Sequence, residues 1–382
     1  MKRLILVGAG HAHAQVLKKL TREPLQDVET IVVSPHGLAP YSGMVPGWLA
    51  GQYAFKDISI DFARLSKAAG AKWIQAHLHS LDPDDRRLSL SLHPDCPFDD
   101  IYRNSHDSIT PGHQLTEIDY DVLSLNVGST LYPPSPNMLA LRPLANLRAS
   151  YDQFLMQWHQ SPSSTPDKLT MVGAGPAGVE TLLALRTRLQ AINPCKKIVS
   201  TLVTRSEKIL PELNRMTRWL ARRHLDNVSV VCRCDTSWEA GMESDNELVL
   251  WATGAQAHDW QRKIQRRGTL AVSDSHFIRI DPTLRSVSHP SIFATGDCAH
   301  WSDALPKAGV YAVRMGAVLC NNLYASMGQG TMKHYEPQTQ FLALLNTADG
   351  GAIASRGAFA AKGRWAMRWK DRIDRHFVEQ FS

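Results

Sequence analysis

The 382-residue chain is poor in cysteine, and the spacing of the few it has excludes most cysteine chemistry. The six, at 96, 195, 232, 234, 298 and 320, form no CxxC pair and no four-ligand zinc pattern. Only Cys232 and Cys234 are close; on a strand they share a face, where a pair of small buried thiols is the simplest reading. No run of 18 uninterrupted apolar residues occurs, which excludes a conventional membrane-spanning helix. Met1, Lys2 and Arg3 lead straight into a core-type strand, so no secretory leader is expected and a reducing cytoplasm fits. No basic face with interleaved aromatics is found either, so nucleic-acid binding explains none of the motifs. The composition, 43% apolar and 20% charged with a net charge of +6, is that of a globular protein of two or three domains.

What is present is a pair of glycine turns. LILVGAGHAHAQVL, residues 4 to 17, reads as a buried strand, a turn and the start of a helix carrying Val16, Leu17 and Leu20 at helical spacing. Gly8 and Gly10 let the backbone approach a pyrophosphate, and the helix N-terminus aims unpaired N–H groups at it. His13 stands where a third glycine would close the fingerprint, so it is expected to push the helix off the sheet or to turn its ring aside. The next strand, residues 29 to 34, ends in Ser34 rather than the acid that usually holds a ribose. A second copy, LTMVGAGPAGVETLLAL at 169 to 185, has Gly173, Gly175 and Gly178 in full order, after a polar proline-rich connection at 160 to 168. Its following strand ends near Thr204 and Arg205, and Arg205 suits a 2'-phosphate or a solvated surface equally well, which leaves NADH and NADPH both open. Three more strands run into glycine: DYDVLSLNVGS (119 to 129, Gly128), LVLWATGA (248 to 255, Gly254) and HPSIFATGDCAHW (289 to 301, Gly296 and Asp297).

In this order the motifs resemble the pyridine nucleotide-disulfide oxidoreductase superfamily, and within it the type II NADH dehydrogenase-like branch that also holds sulfide:quinone oxidoreductases. GAGHAHAQVL, APYSGMVPGWLAGQY, LSLNVGS, PKAGVYAVR and GRWAMRWKDRIDRHF are similar to the flavoprotein module fused ahead of selenophosphate synthetase in some bacteria. The resemblance implies an α/β fold of two Rossmann-like domains, an FAD domain (1–150 and 270–345) with an NAD(P)H domain (151–269) inserted, and a C-terminal amphipathic segment (346–382). It implies that Gly8, Ala9, Gly10, His11, Ala12, Ser34, Pro40, Tyr41, Leu78, Gly128, Gly296, Asp297 and Lys307 attend FAD. Gly173, Gly175, Pro176, Ala177, Gly178, Glu180 and Gly254 are implied for NAD(P)H. The disulfide-reductase CxxxxC is missing between Ser34 and Ile60, so dithiol chemistry of that type is out.

The implied activity is hydride transfer from NAD(P)H to flavin N5 and then electron transfer to a quinone or another small acceptor. The candidate catalytic groups are Lys307, at an expected helix start where a cation stabilises reduced flavin, Tyr41, as a ring wall or a hydroxyl, and Glu180, early in the second helix. No metal site is expected. Sulfide or selenium-analogue oxidation through Cys298 or Cys320 is an alternative, and a flavin-binding redox partner or sensor in selenium metabolism is another. Residues 93 to 117, with His93, His106 and His113, read as an enlarged loop. In the tail, Trp365, Trp369, Ile373, Phe377 and Phe381 recur every four positions, and residues 362 to 382 hold six Lys or Arg against three Asp or Glu. That pattern suits peripheral binding to the inner face of an anionic membrane, or docking on the protein's own core or in a homodimer.

Overall fold

A computed structural model describes residues 1–92, 115–161, 165–303, 305–338 and 340–382. The expected loop histidines His93, His106 and His113, and Cys96, lie outside the described residues. The strands that flank that loop, Arg87–Leu92 and Leu115–Asp119, pair antiparallel in a three-stranded sheet with Ala76–Asp82.

Two five-stranded sheets carry the architecture, and all their pairings are parallel. The first runs Ile292–Ala294, Val122–Leu125, Lys2–Val7, Val28–Val33, Lys72–Ile74. The second runs Leu139–Ala140, Glu247–Trp251, Lys168–Val172, Val199–Val203, Val230–Arg233. In each, the central strand leads through a glycine turn into a long helix, His11–Arg22 in the first and Pro176–Ile192 in the second. Strands buried on both faces need continuous apolar sequence, which LILV and LTMV supply.

The second sheet begins earlier than residue 151, because Leu139–Ala140 already pairs with it and Leu147, Tyr151 and Trp158 of helix Leu144–Gln160 enter its core. Met44, Trp48, Leu49 and Ile58 also leave the first fold and pack in that second core. At the C-terminus, the antiparallel strands Ala343–Asn346, Ala352–Arg356 and Phe359–Gly363 and the helix Arg364–Glu379 form one unit, so its first strand starts before 346. This unit touches both folds: Asn214 of the second fold donates to Ser355 Oγ at 3.0 Å, and Lys370 donates to the Gly43 carbonyl at 2.7 Å. Among the described residues, no helix is long and apolar enough to cross a membrane.

Candidate functional site: two glycine turns and the cleft beside Asp297

The second turn is the simpler one. Gly173 has φ +115°, a conformation that disfavours any side chain. A Cβ on Gly178 would stand 1.9 Å from the Gly173 carbonyl oxygen, so the third glycine is fixed by helix-to-turn packing. Gly175 is different: its φ is −73° and a Cβ there would meet nothing within 4 Å. Neither backbone nor packing requires a glycine at that point, so the open space in front of the helix N-terminus fits a phosphate of a bound nucleotide. Pro176 and Ala177 open the helix, and Gly254 closes the neighbouring strand, also facing open space. Arg205 is exposed beside the buried Thr204.

The first turn is filled by the protein itself. Gly8 has φ +101°, and a Cβ on Gly10 would stand 2.0 Å from Asn126 Oδ1. His13 is fully buried, and its ring is not turned aside as the sequence suggested. Nδ1 lies 2.7 Å from the Gly8 carbonyl and Nε2 lies 2.8 Å from Ser124 Oγ. A carbonyl only accepts, so Nδ1 carries the proton and Nε2 accepts from the serine. Burial pushes this imidazole down to about 4, against the opposing bond to Gly8, which keeps it neutral. Asn126 was not anticipated. Its Oδ1 accepts from Ala12 N at 3.2 Å and its Nδ2 donates to the Thr295 carbonyl at 2.8 Å. The polar interruptions Ser124 and Asn126 in the otherwise apolar LSLNV were the sequence signal for both contacts.

Around that turn the structure collects most of the other flavin-side candidates. His11 opens the helix, 3.2 Å from Ser42 Oγ, with its ring pushed down to about 4 by burial. Ala9 precedes Gly10, and Ala12 is the second residue of the helix. Gly128 faces open space. Asp297 follows Gly296 and is held by Arg142 through a short Nη1 to Oδ2 contact; Arg142 also donates to Ser129 Oγ at 2.6 Å, which donates to Asp297 at 3.1 Å. Arg142 is a second residue the sequence did not single out. A cleft of about 160 Å³ runs beside Asp297, lined among others by Gly296, His300, Trp301, Lys307 and Tyr311. Pro40 ends the short strand Leu38–Pro40. Leu78 is half-buried in the antiparallel sheet, and Ser34 is buried with its hydroxyl donating to the His36 carbonyl at 3.2 Å.

The three catalytic candidates land in different surroundings. Lys307 precedes the helix Gly309–Ser326 rather than starting it, and it is half-buried. Its Nζ donates to the Ala299 carbonyl at 2.7 Å and sits 3.7 Å from the centre of the Phe277 ring, and burial lowers its pKa. Tyr41 packs 4.7 Å from the Phe377 ring and 5.1 Å from His11. Burial, and then Asp374, push its phenol well above the usual range, which makes it a neutral ring wall. Glu180 accepts from Asn346 N of the C-terminal unit at 2.7 Å, and burial raises it to about 7 against the pull of Lys370.

Cys298 and Cys320 are buried. Burial pushes Cys298 up to about 11 and Cys320 up to about 12, and Cys298 Sγ donates to the Thr295 carbonyl at 3.3 Å. Cys232 and Cys234 are only half-buried, not buried as the strand pattern suggested, because Cys232 lies on the edge strand of the second sheet and Cys234 just past its end.

Residues 2–316 match the family model described as pyridine nucleotide-disulphide oxidoreductase. The chain belongs to that family. Its cofactors are therefore FAD and a nicotinamide nucleotide, and the open faces of Gly128, Gly175 and Gly254 fit such groups. A curated relative, the external NADH-ubiquinone oxidoreductase 2 of Saccharomyces cerevisiae mitochondria, is 22% identical over 81% of this chain, which spans 60% of that relative's length. Among solved structures, NDH2 from Plasmodium falciparum in complex with NADH superposes with a TM-score of 0.75 at 12% identity, covering 100% of this chain and 97% of that one. The sulfide:quinone oxidoreductase of Aquifex aeolicus gives 0.74 at 13%, covering 100% and 91%. At such identities these structures speak for the fold of this family member and no further.

Proposed function

We infer that the family member described here is an FAD-dependent NAD(P)H oxidoreductase of the type II NADH dehydrogenase-like branch, with FAD in the first fold and NAD(P)H in the second. The observation that carries the reading is the contrast at the turns: a Cβ on Gly175 would meet nothing within 4 Å before the second fold's helix, whereas on the flavin side Asp297 is ion-paired with Arg142. Bound FAD supplies hydride acceptance and onward electron transfer. The protein's residues hold and shield. Backbone at Gly8, Gly10 and the rest of the helix N-terminus would hold the flavin pyrophosphate, Asp297 would hold the ribityl hydroxyls, and Tyr41 would shield the ring from water. Lys307 stands at the cleft wall on the Ala299 carbonyl, and Glu180, with its pKa near neutrality, can hold or release a proton at its carboxyl.

A quinone is the favoured acceptor. Its source would be a membrane surface met by the exposed Trp365, Trp369 and Ile373, with Arg364, Arg368 and Arg372 beside them. The tail stripe is split: Phe381 is buried and Phe377 half-buried against the first fold, so only its first half is free for a membrane or a second subunit. Sulfide oxidation is disfavoured by the two buried, raised thiols. Anaerobic addition of NADH, NADPH or sulfide to the yellow protein tests the reading. Bleaching of the flavin band by a nucleotide is expected; bleaching by sulfide alone, or by none of the three, overturns it.

A further inference from the structure

The register of the two sheets aligns their turns residue by residue. Val7 stands beside Leu125 in the first sheet, and Val172 beside Trp251 in the second. Ser124 and Asn126 therefore occupy the places of Leu250 and Ala252, and His13, five residues after Gly8, that of Gly178 after Gly173. The second fold closes this position with apolar contact: a Cβ on Gly178 would lie 3.4 Å from the Ala252 methyl. The first closes it with three buried polar side chains.

Asn126 is the hub of that set. Its backbone N–H donates to Val7 at 2.9 Å, and its side-chain amide reaches the helix at Ala12 and the turn before Asp297 at Thr295. A Cβ on Gly8 would meet the Asn126 carbonyl oxygen at 2.4 Å, one on Gly10 its Oδ1 at 2.0 Å, and one on Gly296 its Nδ2 at 2.9 Å. These three glycines are thus small, at least in part, because Asn126 fills the space before them, whereas Gly175 is small in front of nothing. His13 fixes the remaining edge by holding the Gly8 carbonyl to Ser124.

Resting on the assignment of FAD to the first fold, we propose that Asn126 is the positioning residue of the flavin site. Its amide holds the helix N-terminus and the Asp297 turn at their working separation before the cofactor binds. A fold preset in this way loses less freedom on binding, and so holds its ligand more tightly, than the open second fold. The cost is one helix N–H: Ala12 N is committed to Asn126 and is withheld from phosphate.

The test compares FAD binding to flavin-stripped wild type and Asn126→Ala, which installs the residue the second fold carries. Loss of both amide contacts is expected to weaken FAD about 30-fold and to leave NADH binding within about twofold. FAD affinity unchanged or tighter would overturn the proposal, since freeing Ala12 N would then be what matters. An equal loss of NADH affinity would also overturn it, as a general structural defect. Should the variant not fold, amide hydrogen exchange on wild type decides: Ala12 is expected to be as protected without FAD as with it, and protection that arises only on adding FAD would refute presetting. Failure of wild type to bind FAD at all would instead sink the functional reading.

Discussion

The turn at Gly8 and the turn at Gly173 each follow the central strand of a five-stranded parallel sheet, yet one is packed with the protein's own polar groups and the other stands open. His13 and Asn126 fill the first; Gly178 and Ala252 close the second without filling the space before Gly175. The sequence that looks like the damaged fingerprint is the more elaborately bonded of the two. A missing glycine is thus no sign of a lost site when the side chain that replaces it finds partners of its own.

The comparison can be broken at several points. His13→Gly gives the first turn the glycine of the second, but it leaves a cavity and strands Ser124 and the Gly8 carbonyl, so a loss of about 3 kcal/mol in chemical denaturation is expected. A neutral result would mean the two turns are interchangeable. Gly175→Leu projects into the opening of the second turn from a Cβ that meets no protein atom within 4 Å. Flavin content and melting temperature should hold while the NAD(P)H concentration for half-maximal flavin reduction rises about 100-fold. Arg142→Ala frees Asp297 on the flavin side only; since the arginine is partly exposed, FAD affinity should fall by about tenfold at most, with NADH binding unmoved.

Proton linkage separates the folds more finely. The imidazoles of His11 and His13, lowered from 6.5 to about 4, bind fewer protons folded than unfolded. Their contribution is present above about 6.5 and is lost as pH falls towards 4. Acid titration of stability should be shallower in His13→Gln. Glu180 runs the opposite way: raised from 4.5 to about 7, it favours folding at low pH, and that contribution is lost as pH rises through 7. Stability of Glu180→Gln, measured between pH 5 and 8, should be flatter than that of wild type, and an identical slope would remove Glu180 from the titration.

The α/β class, both strand–turn–helix units and the glycines within them were legible in the chain, because a buried parallel strand needs a continuous apolar run and a phosphate turn needs glycine wherever backbone must approach closely. The period-four stripe of the tail was legible as a helix, while its division into a buried end and an exposed start depends on what the helix lies against. Strand Leu139–Ala140 was missed because two residues carry no periodicity, and only its pairing with Glu247–Trp251 places it in the second sheet.

Local sequence determined which segments turn and which bury, since those preferences are set within a few residues. The partners were decided by tertiary structure: Arg142 on Asp297, Glu180 on Asn346 and Asn126 on Ala12 join residues from 114 to 166 positions apart, while Lys307 reaches back only 8 to Ala299. Such contacts depend on the separation of strands and helices after packing, and no pattern in either segment alone encodes that distance.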